Sequence, residues 1–225
     1  MIPKEQETCR LLIFAKAPVP GEAKSRLVPF LGREGAARLH AHLVLHTLDT
    51  ALASKVGPVE LWCSSAVSHP FFVECAQRFP IGLRRQRGQN LGERMSHAFR
   101  ESLKKGGVAL LIGTDCPSLR PEDLQEAKEA LDEGVRVVLS PAEDGGYVLL
   151  GLRQHTEALF EGIPWGSDSV LAQTRQRLEG LGWSWRELAA RWDVDRPEDV
   201  ERLRRLGWGF LIDGKRVVDR TNKVC

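Results

Sequence analysis

The chain has 225 residues, 42% of them hydrophobic and 28% charged, enough for one large domain with a sizeable core. Its formal charge is +2, from 32 basic and 30 acidic residues, so nothing points to nucleic acid or an acidic membrane as the main partner. No apolar run approaches the roughly 20 residues needed to span a bilayer, and the polar N-terminus does not read as a signal peptide, so the expected location is cytoplasmic. The five cysteines are odd in number and widely spaced, with no CxxC pair. That argues against a disulfide framework and against a zinc site.

The run over 10–15 predicts the first strand. The loop that follows carries Pro18, Pro20 and Gly21, which fix its turns, and three cations, Lys16, Lys24 and Arg26. Such a loop after a first strand suits a phosphate, held by backbone N–H groups, a helix N-terminus and point charges. The bland alternative is a solvated basic turn. It is not a P-loop, because Ala23 stands where the second glycine belongs, and there is no GxGxxG. The spacing of Leu39, Leu43, Leu48 and Leu52 predicts an amphipathic helix over 34–53. His42 and His46 lie four apart, but no acid or cysteine completes a metal set. With His40 they read as helix-surface or packing histidines.

A strand is expected over 59–64, a short helix over 70–78 and a weak strand over 82–86. Asn90 and Glu93 form a capping-box pattern opening a helix to about residue 104. Asn90 and Gln89 also offer donor and acceptor to a base or ribose. Capping does not explain Gly88 and Gly92.

The five apolar residues 108–112 predict a buried central strand. Gly113 and Pro117 stop it and leave Asp115 just past its carboxyl end. Ligands of open α/β sheets bind in that crevice, and a carboxylate there suits a hard divalent cation that also touches phosphate oxygens. Asp115 could instead cap its own turn. A helix over 121–133 and a strand over 135–140 lead into Asp144, Gly145, Gly146 and Tyr147, before a strand over 148–151. Paired glycines let a backbone approach a ligand closely, while Asp-Gly is also a hairpin signal. Ser167 is placed to cap a helix running to 181, and a short strand is expected over 183–188. Asp193 and Asp195, two apart in an extended stretch, project to one side. They could supply a second metal carboxylate, or simply favour the dipole of a helix ending near 206. The tail, 207–225, carries Asp213-Gly214 between apolar runs and predicts a β-hairpin.

Alternating strands and helices without a linker give an α/β fold with a mostly parallel sheet, occupying 1–206. Four motifs together resemble the DUF2064 family of arsenosugar-biosynthesis-type glycosyltransferases, within the nucleotide-diphospho-sugar transferase superfamily. They are the loop from Phe14 through Lys16, Pro18 and Gly21 to Lys24-Ser25-Arg26-Leu27; Gly113-Thr-Asp115-Cys-Pro117; Pro141 to Tyr147; and Asp193 to Asp199. The resemblance implies a single GT-A-like domain, a three-layer α/β/α sandwich with a mixed sheet. It implies that Lys16, Pro18, Gly21, Lys24, Ser25 and Arg26 hold nucleotide phosphates, with Asn90 and Gly92 on the nucleotide side. Asp115 would be a catalytic metal ligand, Asp193 or Asp195 the second carboxylate, and the cation Mg²⁺ or Mn²⁺. Asp144 would act on the acceptor, flanked by Gly145, Gly146 and Tyr147. Three departures stand out: Ser25 in place of a frequent Thr, Arg196 in place of another, and Pro117 where a full Asp-x-Asp would need a second acid.

The implied activity is a metal-dependent transfer from a nucleotide-activated donor to a small-molecule acceptor, foremost glycosyl transfer from a nucleotide-diphosphate sugar. The alternative is nucleotidyl transfer with release of pyrophosphate, because residues 23–27 also resemble the loop of the phospholactate guanylyltransferases. Tyr147, where those relatives carry Thr, leans toward the sugar. A third reading is a non-catalytic nucleotide-binding protein. Neither nucleic acid nor membrane is expected as partner; a symmetric homodimer is.

Overall fold

The computed structural model describes residues 8–209. Strand β1 (Cys9–Ala15) enters at the middle of the sheet. Its side chains alternate between two buried clusters: Leu11, Ile13 and Ala15 join one, Leu12 and Phe14 the other. β4 (Val108–Ile112) does the same, with Val108, Leu110 and Ile112 facing one way and Ala109 and Leu111 the other. A strand covered on both faces cannot afford polar alternation, which is why both read as continuous apolar runs.

Around them run β2 (Val59–Cys63), β3 (Gly82–Arg85), β5 (Val137–Pro141), β6 (Tyr147–Leu152) and β7 (Trp185–Glu187). The seven strands lie in the order β3-β2-β1-β4-β6-β5-β7, and β6 alone runs antiparallel to its neighbours. Helices α1 (Val28–Ser54), α2 (Pro70–Arg78) and α4 (Pro121–Asp132) cover one face. α3 (Leu91–Leu103) and α5 (Val170–Gly180) cover the other. This is the expected three-layer α/β/α sandwich with a mixed, mostly parallel sheet, in one domain.

α1 starts earlier than the leucine spacing predicts because it is two helices joined at Gly32, whose φ of 72° breaks the helical path. A third apolar cluster lies on its far side. There Leu27, Ala36, Leu39 and Leu43 pack on Trp192, Val194, Val200 and Leu203. That cluster fixes the segment 191–195, which leads into α6 (Pro197–Leu203). Residues 204–208 add a wider helical turn. Of the expected tail hairpin, Asp213-Gly214 lies outside the described residues. Ser167 does not cap α5: the helix begins at Val170 behind Ser169, and the two serine hydroxyls pair with each other at 2.9 Å.

Candidate functional site at the sheet's switch point

From β1 the chain steps to β2 and β3 on one side, while β4 joins β1 on the other. The carboxyl ends of β1 and β4 therefore border the crevice where strand order reverses, the usual ligand position in such sheets. The loop after β1 brings Lys16 to Arg26 to this crevice, and the turn after β4 brings Asp115.

Lys24 and Asp115 meet there. The ammonium Nζ lies 2.7 Å from Asp115 Oδ1, and the Lys24 side chain is only 4% exposed. Its backbone adopts the left-handed conformation, φ 51° and ψ 46°, which is unusual for a residue with a Cβ and is held only by surrounding structure. Lys24 also donates to the carbonyl of Val194. Asp115 Oδ1 is buried, yet the side chain as a whole is half exposed. Its open half is therefore the Oδ2 side. Burial pushes the Asp115 carboxyl up, but Lys24, His40 and Lys16 outweigh it and hold the group below the usual range.

The segment 191–195 is pinned against this pair. Val194 N–H donates to Asp115 O at 2.8 Å, and the Ser118 hydroxyl bridges to the backbone of Trp192. Arg191 forks onto the buried carboxylate of Asp123 at the start of α4. Asp193 is thereby brought into the field of Asp144 and Asp115. Burial, then those two charges, push its carboxyl up to about 6. Asp195 turns to an ion pair with Arg26 at the exposed edge. Asp144 lies exposed in the β5–β6 turn, where its Oδ1 accepts from Gly146 N–H at 3.0 Å. Gly145 has φ 90°, and a Cβ there would lie 2.1 Å from Asp168 O, so only glycine lets the two loops touch.

His40 is the residue that sequence reasoning missed. It is buried on α1, its Nε2 lies 3.1 Å from Lys16 O, and its Nδ1 lies 3.9 Å from Asp115 Oδ1. A carbonyl only accepts, so Nε2 carries the proton and Nδ1 presents a lone pair. Burial pushes the imidazole pKa down, against the opposing pull of the Asp115 charge. The available signal was its place on the buried stripe of Ala36, Leu39, Leu43 and Thr47.

Other residues singled out by the sequence stand as follows. Lys16, Gly21, Ser25 and Arg26 are exposed around the crevice, and Pro18 is half-buried. Asn90 caps α3: its Oδ1 accepts from Glu93 N–H at 3.0 Å and its Nδ2 donates to Glu93 Oε1 at 2.8 Å. Gly92 makes room for the Trp165 indole, whose Nε1 would sit 2.2 Å from an added Cβ. Tyr147 packs edge-on against Trp165 with its hydroxyl bonded to Thr174, away from the carboxylates. Cys116 is buried and its thiol is pushed up, so it is no nucleophile. A cavity of 730 Å³ runs along α3, walled by Asn90, Glu93, His97, Arg100 and Trp165 among others, and Asp115, Asp144, Asp193 and Asp195 are not among its walls.

The carboxylates at the switch point offer oxygen donors, which suit a hard divalent cation. Among the described residues no group of three or more His, Cys, Asp or Glu is disposed to hold a metal. The carboxylates that could contribute oxygens to one are Asp115, through Oδ2, and Asp193, with Asp195 engaged by Arg26; other oxygen ligands would have to complete the shell.

This fold, with its ligand crevice at the switch point, is that of the nucleotide-diphospho-sugar transferases. The chain belongs to the DUF2064 family, described as an uncharacterized protein conserved in bacteria, whose model matches residues 47–167. A relative named phosphoenolpyruvate guanylyltransferase, from Geodermatophilus obscurus, is 29% identical over 194 residues, 83% of this chain and 85% of that one. A crystal structure from Desulfovibrio desulfuricans G20, named as a candidate nucleotide-diphospho-sugar transferase, superposes with a TM-score of 0.80 at 29% identity, covering 88% and 87% of the two chains. Glucosyl-3-phosphoglycerate synthase from Mycobacterium tuberculosis, solved with Mn²⁺ and uridine diphosphate, shares the fold at a TM-score of 0.52 and 12% identity, covering 87% and 75%. The described residues contain no helix long and apolar enough to cross a membrane.

Proposed function

We propose that the chain is a divalent-cation-assisted transferase that takes its group from a nucleotide-activated donor. The observation that carries this reading is the meeting of Lys24, Asp115 and the 193–195 segment at the switch point. The donor's phosphates lie against the loop after β1, where Lys16 and Arg26 are exposed point charges and the turn before α1 offers backbone N–H groups. Asp115 and Asp193 hold the cation, Mg²⁺ or Mn²⁺, which neutralises charge on the leaving phosphate. Raised to about 6, Asp193 ionises fully only above that pH or beside a positive charge.

In the first form of the reading the transferred group is a sugar. Asp144 then takes the acceptor hydroxyl's proton, and its exposure leaves room for that acceptor. The second form, nucleotidyl transfer, is favoured by the guanylyltransferase relative, which aligns over most of both chains. Tyr147 no longer separates the two, because its ring and hydroxyl are used in packing.

The test is a thermal-shift panel of nucleoside diphosphates, triphosphates and nucleotide sugars, with and without Mg²⁺. A ligand at 100 times its Kd adds about 2.7 kcal/mol of stability. We expect a cation-dependent shift from at least one nucleotide, lost in Asp115→Asn at unchanged far-UV circular dichroism. A nucleotide sugar or diphosphate as the best ligand selects glycosyl transfer, and a triphosphate selects nucleotidyl transfer. No shift from any of them overturns the reading.

A further inference from the structure

The Lys24 ammonium occupies a peculiar place. It is nearly inaccessible, its backbone is held in the left-handed region, and its nearest partner is the carboxylate best placed for a cation. Buried this way it differs from exposed Lys16 and Arg26 on the same loop. Two acceptors lie around the Lys24–Asp115 pair. One is the Val194 carbonyl, which Lys24 already reaches. The other is His40 Nδ1, a buried lone pair with no hydrogen-bond partner, 3.9 Å from the same Asp115 oxygen. A buried acceptor left unpaired is destabilising in the resting protein, the mark of a group that another state uses.

We propose that Lys24 is an exchangeable internal counter-ion for Asp115. Its ammonium neutralises the carboxylate until a divalent cation claims it, and then rests between Val194 O and His40 Nδ1. The inference rests on the metal-site reading above and adds that Lys24 and the cation compete. Cation affinity in the absence of nucleotide is therefore low by construction. Nucleotide phosphates supply the further ligands that tip the exchange, so cation and nucleotide enter together. His40 is here a positioning residue, its Nε2 anchored on the Lys16 carbonyl and its unpartnered Nδ1 facing Asp115.

The test is Mn²⁺ binding, followed by electron paramagnetic resonance of the free ion, without nucleotide. Lys24→Met is compared with wild type and with Lys16→Met, which removes the same charge from the same loop without touching Asp115. Competition predicts at least a tenfold tighter Kd for Lys24→Met, and no more than about threefold for Lys16→Met. Equal changes in the two variants, or no tightening in Lys24→Met, overturn the proposal. Should Lys24→Met not fold, Lys24→Gln, which keeps a side-chain N–H for the Val194 carbonyl, is measured against Lys16→Gln in its place, with the same expectation and the same overturning results. Mn²⁺ titrated with each nucleotide of the panel separates the two readings. If wild type binds no Mn²⁺ under any condition, the metal site itself fails. If it binds Mn²⁺ but Lys24→Met behaves like Lys16→Met, only the exchange fails.

Discussion

At the scale of single residues, the site's charge is unbalanced around Asp193. Burial and the neighbouring carboxylates lift its pKa from an ordinary 3.8 to about 6. The folded chain therefore binds this proton more tightly than the unfolded chain, and folding is penalised increasingly as the pH rises from about 4, in full once it exceeds 6. The penalty fades as the pH falls from 6 toward 4. Asp193→Asn should accordingly raise the melting temperature at pH 8 and lose most of that advantage by pH 4. A melting curve at each pH checks it, and an equal gain at both would show that the carboxylate is not strained by its neighbours. Saturating Mg²⁺ should mimic the substitution at pH 8 in wild type. Lys24, Asp115, Asp193 and Asp144 were each legible as single residues, because loops at strand ends carry chemistry. Their pairing was not, since no spacing rule tells a loop near residue 20 that its lysine meets a carboxylate some 90 positions away. His40 hid for the opposite reason. A histidine on an apolar stripe has the same local pattern whether or not its free nitrogen faces a ligand site.

Elements hold these residues in place, and the most exposed to failure is the segment 191–195. It has no ladder along its length, only a single bridge between Ala142 and Arg191. Its anchor is the Arg191 fork on Asp123, whose side chain is 7% exposed. Removing one partner from a buried pair leaves an uncompensated charge and costs roughly 3–5 kcal/mol. Asp123→Ala should lose stability of that order in a urea melt and lose nucleotide-dependent stabilisation with it. A loss below about 1 kcal/mol would mean that the apolar cluster of Trp192, Val194 and Val200 holds the segment unaided. Strands and helices themselves were readable to within a few residues, because their signals are local: apolar runs in β1 and β4, Pro121 at a helix start, the Asn90–Glu93 capping pair. Gly92 shows where local reading stops. The glycine is required by the Trp165 indole, which arrives from a distant loop.

For the whole molecule, the sheet order places the two halves of the site on different stability footings. β1 and β4 are central and buried on both faces, whereas the 191–195 segment rests on one face of α1. Local opening should begin at the latter. Amide hydrogen exchange should find Val194, bonded to Asp115 O, exchanging faster than Leu11 to Ile13. Nucleotide with Mg²⁺ should slow the former and leave the strand unchanged. Equal protection of both segments without ligand would argue that the site is rigid throughout. The fold class and strand sequence were legible from the alternation of elements. The single reversed strand, β6, was anticipated only through the Asp144-Gly145 turn signal that makes it a hairpin with β5.

The Val194–Asp115 bond also has a consequence in time. A ribosome adds roughly 5–20 residues per second, N-terminus first. About 80 residues separate Asp115 from Asp193, so the nascent chain holds one carboxylate without the other for roughly 4–16 s. The cation site proposed above is therefore incomplete until Asp193 has been made, and a growing chain that holds Asp115 alone has Lys24 to offset its charge.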